Sequence, residues 1–470
     1  MNNEIENVPT WKMILFGFGQ MGWSLGGFSV GALINYFYMP PETGGKIFPV
    51  LINQGAVVLF LTVIGLSNFA GRIFDAVTDP LIANASDRSS FRFGRRRTFM
   101  AIAVLPLSVL SYLVFAPPLP YESTLNSVWV FATIILFYLF MTMYVIPYGA
   151  LIPEIGHTSK QRMLLSTITS VAWAMGFFIG NSVYALKGVF ENMGYTPVGA
   201  FRIVVALFSV VGFTAMIMPI IFIDENRYCR KNRSEDGAFK AILSSFGNRD
   251  FRALIGSNFF YFVANTFLEI GIIYYVTILM ELPEEQAFTL MAVMFILSFA
   301  YYPLIVKLSG RLGKKRLILT AFALQALVFA MIPFAGMIEG IPSALWGWTI
   351  ILIESIPVAL FGIVPTAVLA DIAKAEGNRS GSHNEAIFFG ANSFVCKLAL
   401  SVTNLIFPSI LLLGRSVENP FGIRMTAVIA LVFTVLGYII FLGYSQQRVD
   451  RYLDDEGQAL SEGPLAAEPV

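Results

Sequence analysis

The stretch Ser127–Leu151, SVWVFATIILFYLFMTMYVIPYGAL, runs for 25 residues without a charged side chain. A helix rises about 1.5 Å per residue, so about 20 apolar residues cross the hydrocarbon core of a bilayer. This segment therefore reads as a membrane span, and the rest of the chain repeats it. Twelve segments qualify, at roughly 12–38, 54–84, 98–117, 127–151, 163–188, 199–223, 252–280, 287–307, 315–336, 345–371, 385–412 and 422–446. Over all 470 residues, 56% are apolar and 13% charged, and mean hydropathy is +0.70. A soluble chain carries about 25% charge, so a soluble multidomain protein is excluded. The expected fold is an all-α membrane protein of twelve transmembrane helices.

Charge places the ends and divides the chain. Arg88, Arg92, Arg95, Arg96 and Arg97 follow the second span, and Arg311, Lys314, Lys315 and Arg316 follow the eighth. The central loop carries Arg227, Arg230, Lys231, Arg233, Lys240 and Arg249, whereas the alternate loops hold little beyond Lys46, Lys187 and Arg415. The positive-inside rule then predicts both termini in the cytoplasm. The expected organisation is a six-helix bundle over 1–223, a central cytoplasmic loop at 224–251, a second six-helix bundle over 252–446, and a disordered cytoplasmic tail at 447–470. The basic turns Gly94–Arg97 and Gly313–Arg316 lie 219 residues apart, the weak internal symmetry expected of a transporter built from two related halves.

A net charge of +1 gives no electrostatic case for nucleic acid. Two Cys and two His, all far apart, supply neither a disulfide scaffold nor a thiolate or histidine metal cluster. With no nucleophile–base or metal constellation in the bundle, the chain is expected not to be an enzyme and to need no cofactor beyond a coupling ion.

Ionisable groups inside the membrane cost about 2.5–3.5 kcal/mol each even on a lenient scale, so each one marks a candidate site. Arg72, Asp75 and Asp79 are spaced by three and four and share one face of the second span. Two carboxylates so close must share a proton, pair with a cation, or bind Na⁺ through hard oxygen ligands. Lys397, deep in the eleventh span, needs an anionic partner, and the carboxylates of the second span are the candidates. Glu269 and Glu354 are also intramembrane, each lining a cavity or pairing locally.

The string Gly71-Arg72-Ile73-Phe74-Asp75-Ala76-Val77-Thr78-Asp79-Pro80, with Asp87-Arg88 and Gly94-Arg95-Arg96-Arg97 after it, resembles the signature of the glycoside–pentoside–hexuronide:cation symporters of the major facilitator superfamily. Ile146–Glu154 at the end of the fourth span, Ala370-Asp371-Ile372, and Glu385–Phe389 leading to Lys397 extend the resemblance across both halves. It implies the major facilitator fold, alternating access, and a Na⁺ or H⁺ site, a metal site in the case of Na⁺, at Asp75 and Asp79 with Thr78 and Thr142. It also implies that Lys397 interacts with those carboxylates, with Arg72 as a further charge partner.

On the solute side the chain departs from the galactoside-carrying members. Their sugar-binding aspartates fall on Ser24 and Val145, and their cavity tryptophans on Gly149 and Gly362. The resemblance leaves Asn392, Ser393, Tyr148 and Glu269 as the other candidate lining residues. Sodium-dependent lysophospholipid symporters of the same family also resemble this chain, in Asp75–Pro80, in Glu385–Phe389 and at Glu269. The expected partners are a small-molecule solute, first a sugar or glycoside and second an amphipathic lipid, together with a monovalent cation. The lipid bilayer is the medium, here the plasma (inner) membrane, and a monomer is expected to suffice.

Overall fold

The computed structural model describes residues 6–43, 48–229, 245–338, 340–380 and 385–461. Lys46, the loop bases Arg230, Lys231, Arg233 and Lys240, and tail residues 462–470 lie outside the described residues. The chain is helical almost throughout. The helices are α1 (Thr10–Gly31), α2 (Leu33–Tyr38), α3 (Val63–Arg88), α4 (Arg95–Leu113), α5 (Thr124–Ile155), α6 (Ser159–Asn181), α7 (Val183–Asn192), α8 (Pro197–Phe222) and the short α9 (Glu225–Tyr228). They continue as α10 (Arg249–Tyr274), α11 (Glu285–Leu312), α12 (Lys314–Met331), α13 (Ser343–Ser380), α14 (Glu385–Ile410), α15 (Phe421–Leu442) and α16 (Gln446–Ser461).

Among the described residues ten helices are long and apolar enough to cross a membrane, so this is a multi-pass membrane protein. The other two expected spans fall on α1–α2 and α3. Both are helical, but α1 is diluted by glycines and Gln20, and α3 carries Arg72, Asp75 and Asp79. The second span also starts later than expected. Residues 54–62 form a hairpin of β1 (Ala56–Val58) on β2 (Leu61–Thr62), and α3 begins at Val63. Leu59 turns the hairpin with a positive φ of 55°, and the Thr62 side chain accepts from the Gly65 N–H to start the helix. An apolar run with β-branched residues satisfies a hydropathy window equally well as helix or strand.

The tail expectation needs a larger correction. Residues 446–461 are helical, with Val449 buried and Arg448 paired with the buried Asp250 at 3.3 Å.

Contacts divide the chain into two compact units. The first is residues 1–234 with 269–289 and 401–423; the second is 235–268, 290–400 and 424–470. In the first unit, Lys187 is 3% exposed on α7 rather than solvated in a loop. It pairs with Glu191 at 3.2 Å and Glu284 at 2.8 Å, and Tyr36 donates to the same Glu284 carboxylate at 2.6 Å.

The two basic turns use one device with different partners. Gly94 (φ 104°) and Gly313 (φ 81°) each precede a helix in a conformation that side-chain-bearing residues rarely adopt. In the first unit, Glu225 accepts from the N–H groups of Arg96 and Arg97 at the start of α4, at 2.9 and 3.0 Å. A Cβ on Gly94 would collide with that carboxylate. Arg95 and Arg96 pair with Glu154, and Arg96 also with Asp87. In the second unit Gln446 accepts from the Lys315 N–H at 3.1 Å, and Lys314 pairs with Asp371. Beside the first turn, burial pushes the Cys229 thiol up, and the Glu154 and Glu225 carboxylates add to the effect, so it stays protonated at neutral pH.

Candidate functional site

The site is set by how closely α3 and α5 approach. A Cβ on Gly71 would lie 2.6–2.7 Å from the Tyr138 ring and the Ile134 methyl, so only glycine lets the helices meet there. One turn further along both helices, that approach brings Asp75 against Thr142. Asp75 is 3% exposed and Thr142 1%, and the Thr142 hydroxyl donates to Asp75 Oδ1 in a short hydrogen bond. Thr78, also buried, donates to the Phe74 carbonyl at 2.9 Å and stands 3.5 Å from the Thr142 oxygen.

One carboxylate and two hydroxyl oxygens therefore converge in a buried place. All three are hard ligands, suited to an alkali cation, and the carboxylate alone is suited to a proton. Among the described residues no three His, Cys, Asp or Glu side chains gather as a metal-binding group.

Asp79 lies one turn beyond Asp75 on α3 and is half-buried. Arg72 lies one turn before it, with its guanidinium 4.7 Å from the centre of the Tyr138 ring. The cation–π contact explains how a charged group is tolerated there. Tyr138 had no distinguishing mark in a chain with 43 Phe and 18 Tyr. Lys397 is half-buried on α14, in the second unit.

The candidate solute residues separate into different environments. Gly149 is exposed, with nothing within 4 Å of where a Cβ would stand. Gly362 is different: a Cβ there would lie 2.7 Å from the Tyr302 hydroxyl, so its space is already taken. Tyr148 does not line open space in this structure. It is 1% exposed, stacks on Phe16 at 4.3 Å, and donates to the Phe16 carbonyl at 2.8 Å. Ser24 is likewise buried, its hydroxyl shared between the Met21 and Trp173 carbonyls. Asn392 accepts from Asn258 at 2.9 Å, Ser393 is exposed, and Glu269 is half-buried on α10. A cavity of about 10 Å³ beside Gly22, Ser29 and Ser108 holds at most one water. Another of about 200 Å³ is walled by Asp250, Glu376, Arg379 and Arg448, whose charges pair among themselves.

The fold and the buried polar site within its spans define a polytopic helical transport protein. The chain belongs to the family described as MFS/sugar transport protein, whose model matches residues 15–445. It is similar to the putative glycoside/cation symporter YagG of Escherichia coli (strain K12), 22% identical over 398 residues, 81% of this chain and 82% of the relative. It is also similar to the sodium-dependent lysophosphatidylcholine symporter 1-B of Danio rerio, 22% identical over 429 residues, 80% of this chain and 78% of the relative. Among solved structures, a D-xylose–proton symporter superposes with a TM-score of 0.64 at 14% identity, covering 93% of this chain and 96% of that one. The nucleoside transporter NupG superposes at 0.62 and 10% identity, covering 94% and 99%. The fold is that of the major facilitator superfamily.

Proposed function

We propose that this protein is a cation-coupled symporter that imports a sugar or glycoside by alternating access, with Na⁺ or H⁺ bound at Asp75, Thr142, Thr78 and Asp79. The observation that carries the reading is the buried Asp75 carboxylate, which accepts from the Thr142 hydroxyl of α5, with the Thr78 hydroxyl of α3 3.5 Å from the Thr142 oxygen. A negative charge in low dielectric is unstable without a positive partner, so cation occupancy and protein conformation are linked. In the cation-free state Lys397 takes the cation's place as the charge partner; cation binding releases it and shifts the population between outward- and inward-open states. The similarity to a glycoside/cation symporter favours the sugar.

One observation favours an amphipathic lipid instead. Gly149 opens on free space, and Ser24, where a sugar-gripping aspartate would stand, spends its hydroxyl on two backbone carbonyls. The similarity to a lysophosphatidylcholine symporter points the same way.

The experiment is uptake into proteoliposomes under an imposed Na⁺ or H⁺ gradient, with labelled glycosides and lysophosphatidylcholine as separate substrates. Wild type should accumulate a glycoside against its gradient, whereas Asp75→Asn should only exchange it. Accumulation of lysophosphatidylcholine alone would replace the sugar by the lipid. Full accumulation by Asp75→Asn would remove the cation site from Asp75.

A further inference from the structure

The second unit buries a carboxyl of its own. Glu354 lies well inside α13 and is 0% exposed. Gln325, on α12 and also 0% exposed, donates from Nε2 to Glu354 Oε1 over 3.3 Å. Two buried oxygens are then left over, Glu354 Oε2 and Gln325 Oε1, and neither finds a donor among the described residues. The amide oxygen only accepts, and a carboxylate oxygen only accepts. As an ionised group, Glu354 would be a buried negative charge beside a neutral amide. The neighbouring turn is occupied by neutral hydroxyls, with Ser298 of α11 donating to the Ser355 carbonyl at 2.9 Å.

A carboxylic acid and a primary amide are complementary where a carboxylate and an amide are not. The acid offers one O–H and one carbonyl; the amide offers one carbonyl and an N–H. A single proton on Glu354 Oε2 supplies the donor that both leftover oxygens lack. We propose that Glu354 and Gln325 form a proton-binding site, in which Glu354 is a neutral carboxylic acid whose O–H donates to Gln325 Oε1 and ties α12 to α13. The ligand is a proton, and the site is separate from the oxygen set around Asp75. Its chemistry does not depend on which cation or solute the protein carries.

Infrared spectroscopy of the purified full-length protein near neutral pH, in H₂O and D₂O, tests this directly. Wild type should show a protonated-carboxyl C=O band that Glu354→Gln lacks. That variant should remain folded, because its amide N–H replaces the acid O–H and keeps both hydrogen bonds. In Gln325→Leu the band should persist but move to higher frequency, since its carbonyl has lost the N–H donor. Identical spectra for wild type and Glu354→Gln would overturn the site. A band indifferent to Gln325→Leu would overturn the pairing. A Glu354→Gln protein that cannot be recovered folded would also overturn it, because an ionised glutamate rather than an acid would then be what the fold requires.

Discussion

Asp75 and Glu354 are both carboxyls buried on a membrane helix, one in each unit, and their neighbours give them different chemistry. Asp75 accepts from the Thr142 hydroxyl, whose oxygen stands 3.5 Å from that of Thr78, and hydroxyls donate a proton yet keep lone pairs for a cation. Glu354 meets a glutamine, whose N–H satisfies one oxygen and whose carbonyl confronts the other. Hydroxyls around a carboxylate make a place where a cation can come and go. An amide beside a carboxyl makes a place that a proton completes. The residue type of the acid is less informative than the donor count of what it touches.

The contrast can be broken most severely at the helix contact that builds the first site. Gly71→Leu drives a side chain into Tyr138 and Ile134, so α3 and α5 must separate and Asp75 must leave Thr142. Cation-driven accumulation should vanish, measured as uptake under a gradient with protein amount matched. Thr142→Val is the next largest. It removes the donor to Asp75 without changing shape, which should weaken the driving cation about tenfold, roughly 1.4 kcal/mol, read as the cation concentration for half-maximal uptake. At the other site, Gln325→Leu should leave that concentration unchanged.

On the proposed scheme, Lys397→Ala should enlarge the rise in melting temperature that the coupling cation produces, because it removes the positive charge proposed to stand in for the cation. An equal rise in wild type and variant would remove Lys397 from the scheme. The smallest effects belong to the two glycines. Gly362→Ala pushes on the Tyr302 hydroxyl and should cost about 1–3 kcal/mol of stability in detergent melts, most of it recovered in combination with Tyr302→Phe. Gly149→Ala enters open space and should change stability by no more than about 0.5 kcal/mol.

Much of this was legible in the amino-acid sequence for physical reasons that can be named. Charges are rare in a chain with 13% charged residues, so Arg72, Asp75 and Asp79 at helical spacing stood out. The helical, membrane-spanning fold followed from hydropathy alone. Neutral partners were harder to see, because a threonine, a glutamine or a glycine in an apolar run carries no signal of its own. Thr142 came only through resemblance, and Gln325, Tyr138 and the close approach at Gly71 did not come at all. Tyr148, named as a lining residue, packs on Phe16 in this structure, and an aromatic in the core and one in a cavity look the same in sequence. The 54–62 hairpin and the 446–461 helix were missed for opposite reasons: an apolar window does not distinguish strand from helix, and an acidic segment conceals the apolar face that packs.

The central claim is that the cation binds at Asp75 and not at the other buried carboxyl. Thermal melting of purified wild type, Asp75→Asn and Glu354→Gln, each titrated with NaCl against an equal ionic strength of choline chloride and repeated across pH, measures this without a solute. Ligand binding to the folded state raises the melting temperature by mass action. The account predicts that Na⁺, or acid if the coupling ion is H⁺, stabilises wild type and Glu354→Gln alike and leaves Asp75→Asn without that response. An undiminished response in Asp75→Asn, or its loss in Glu354→Gln, would contradict it.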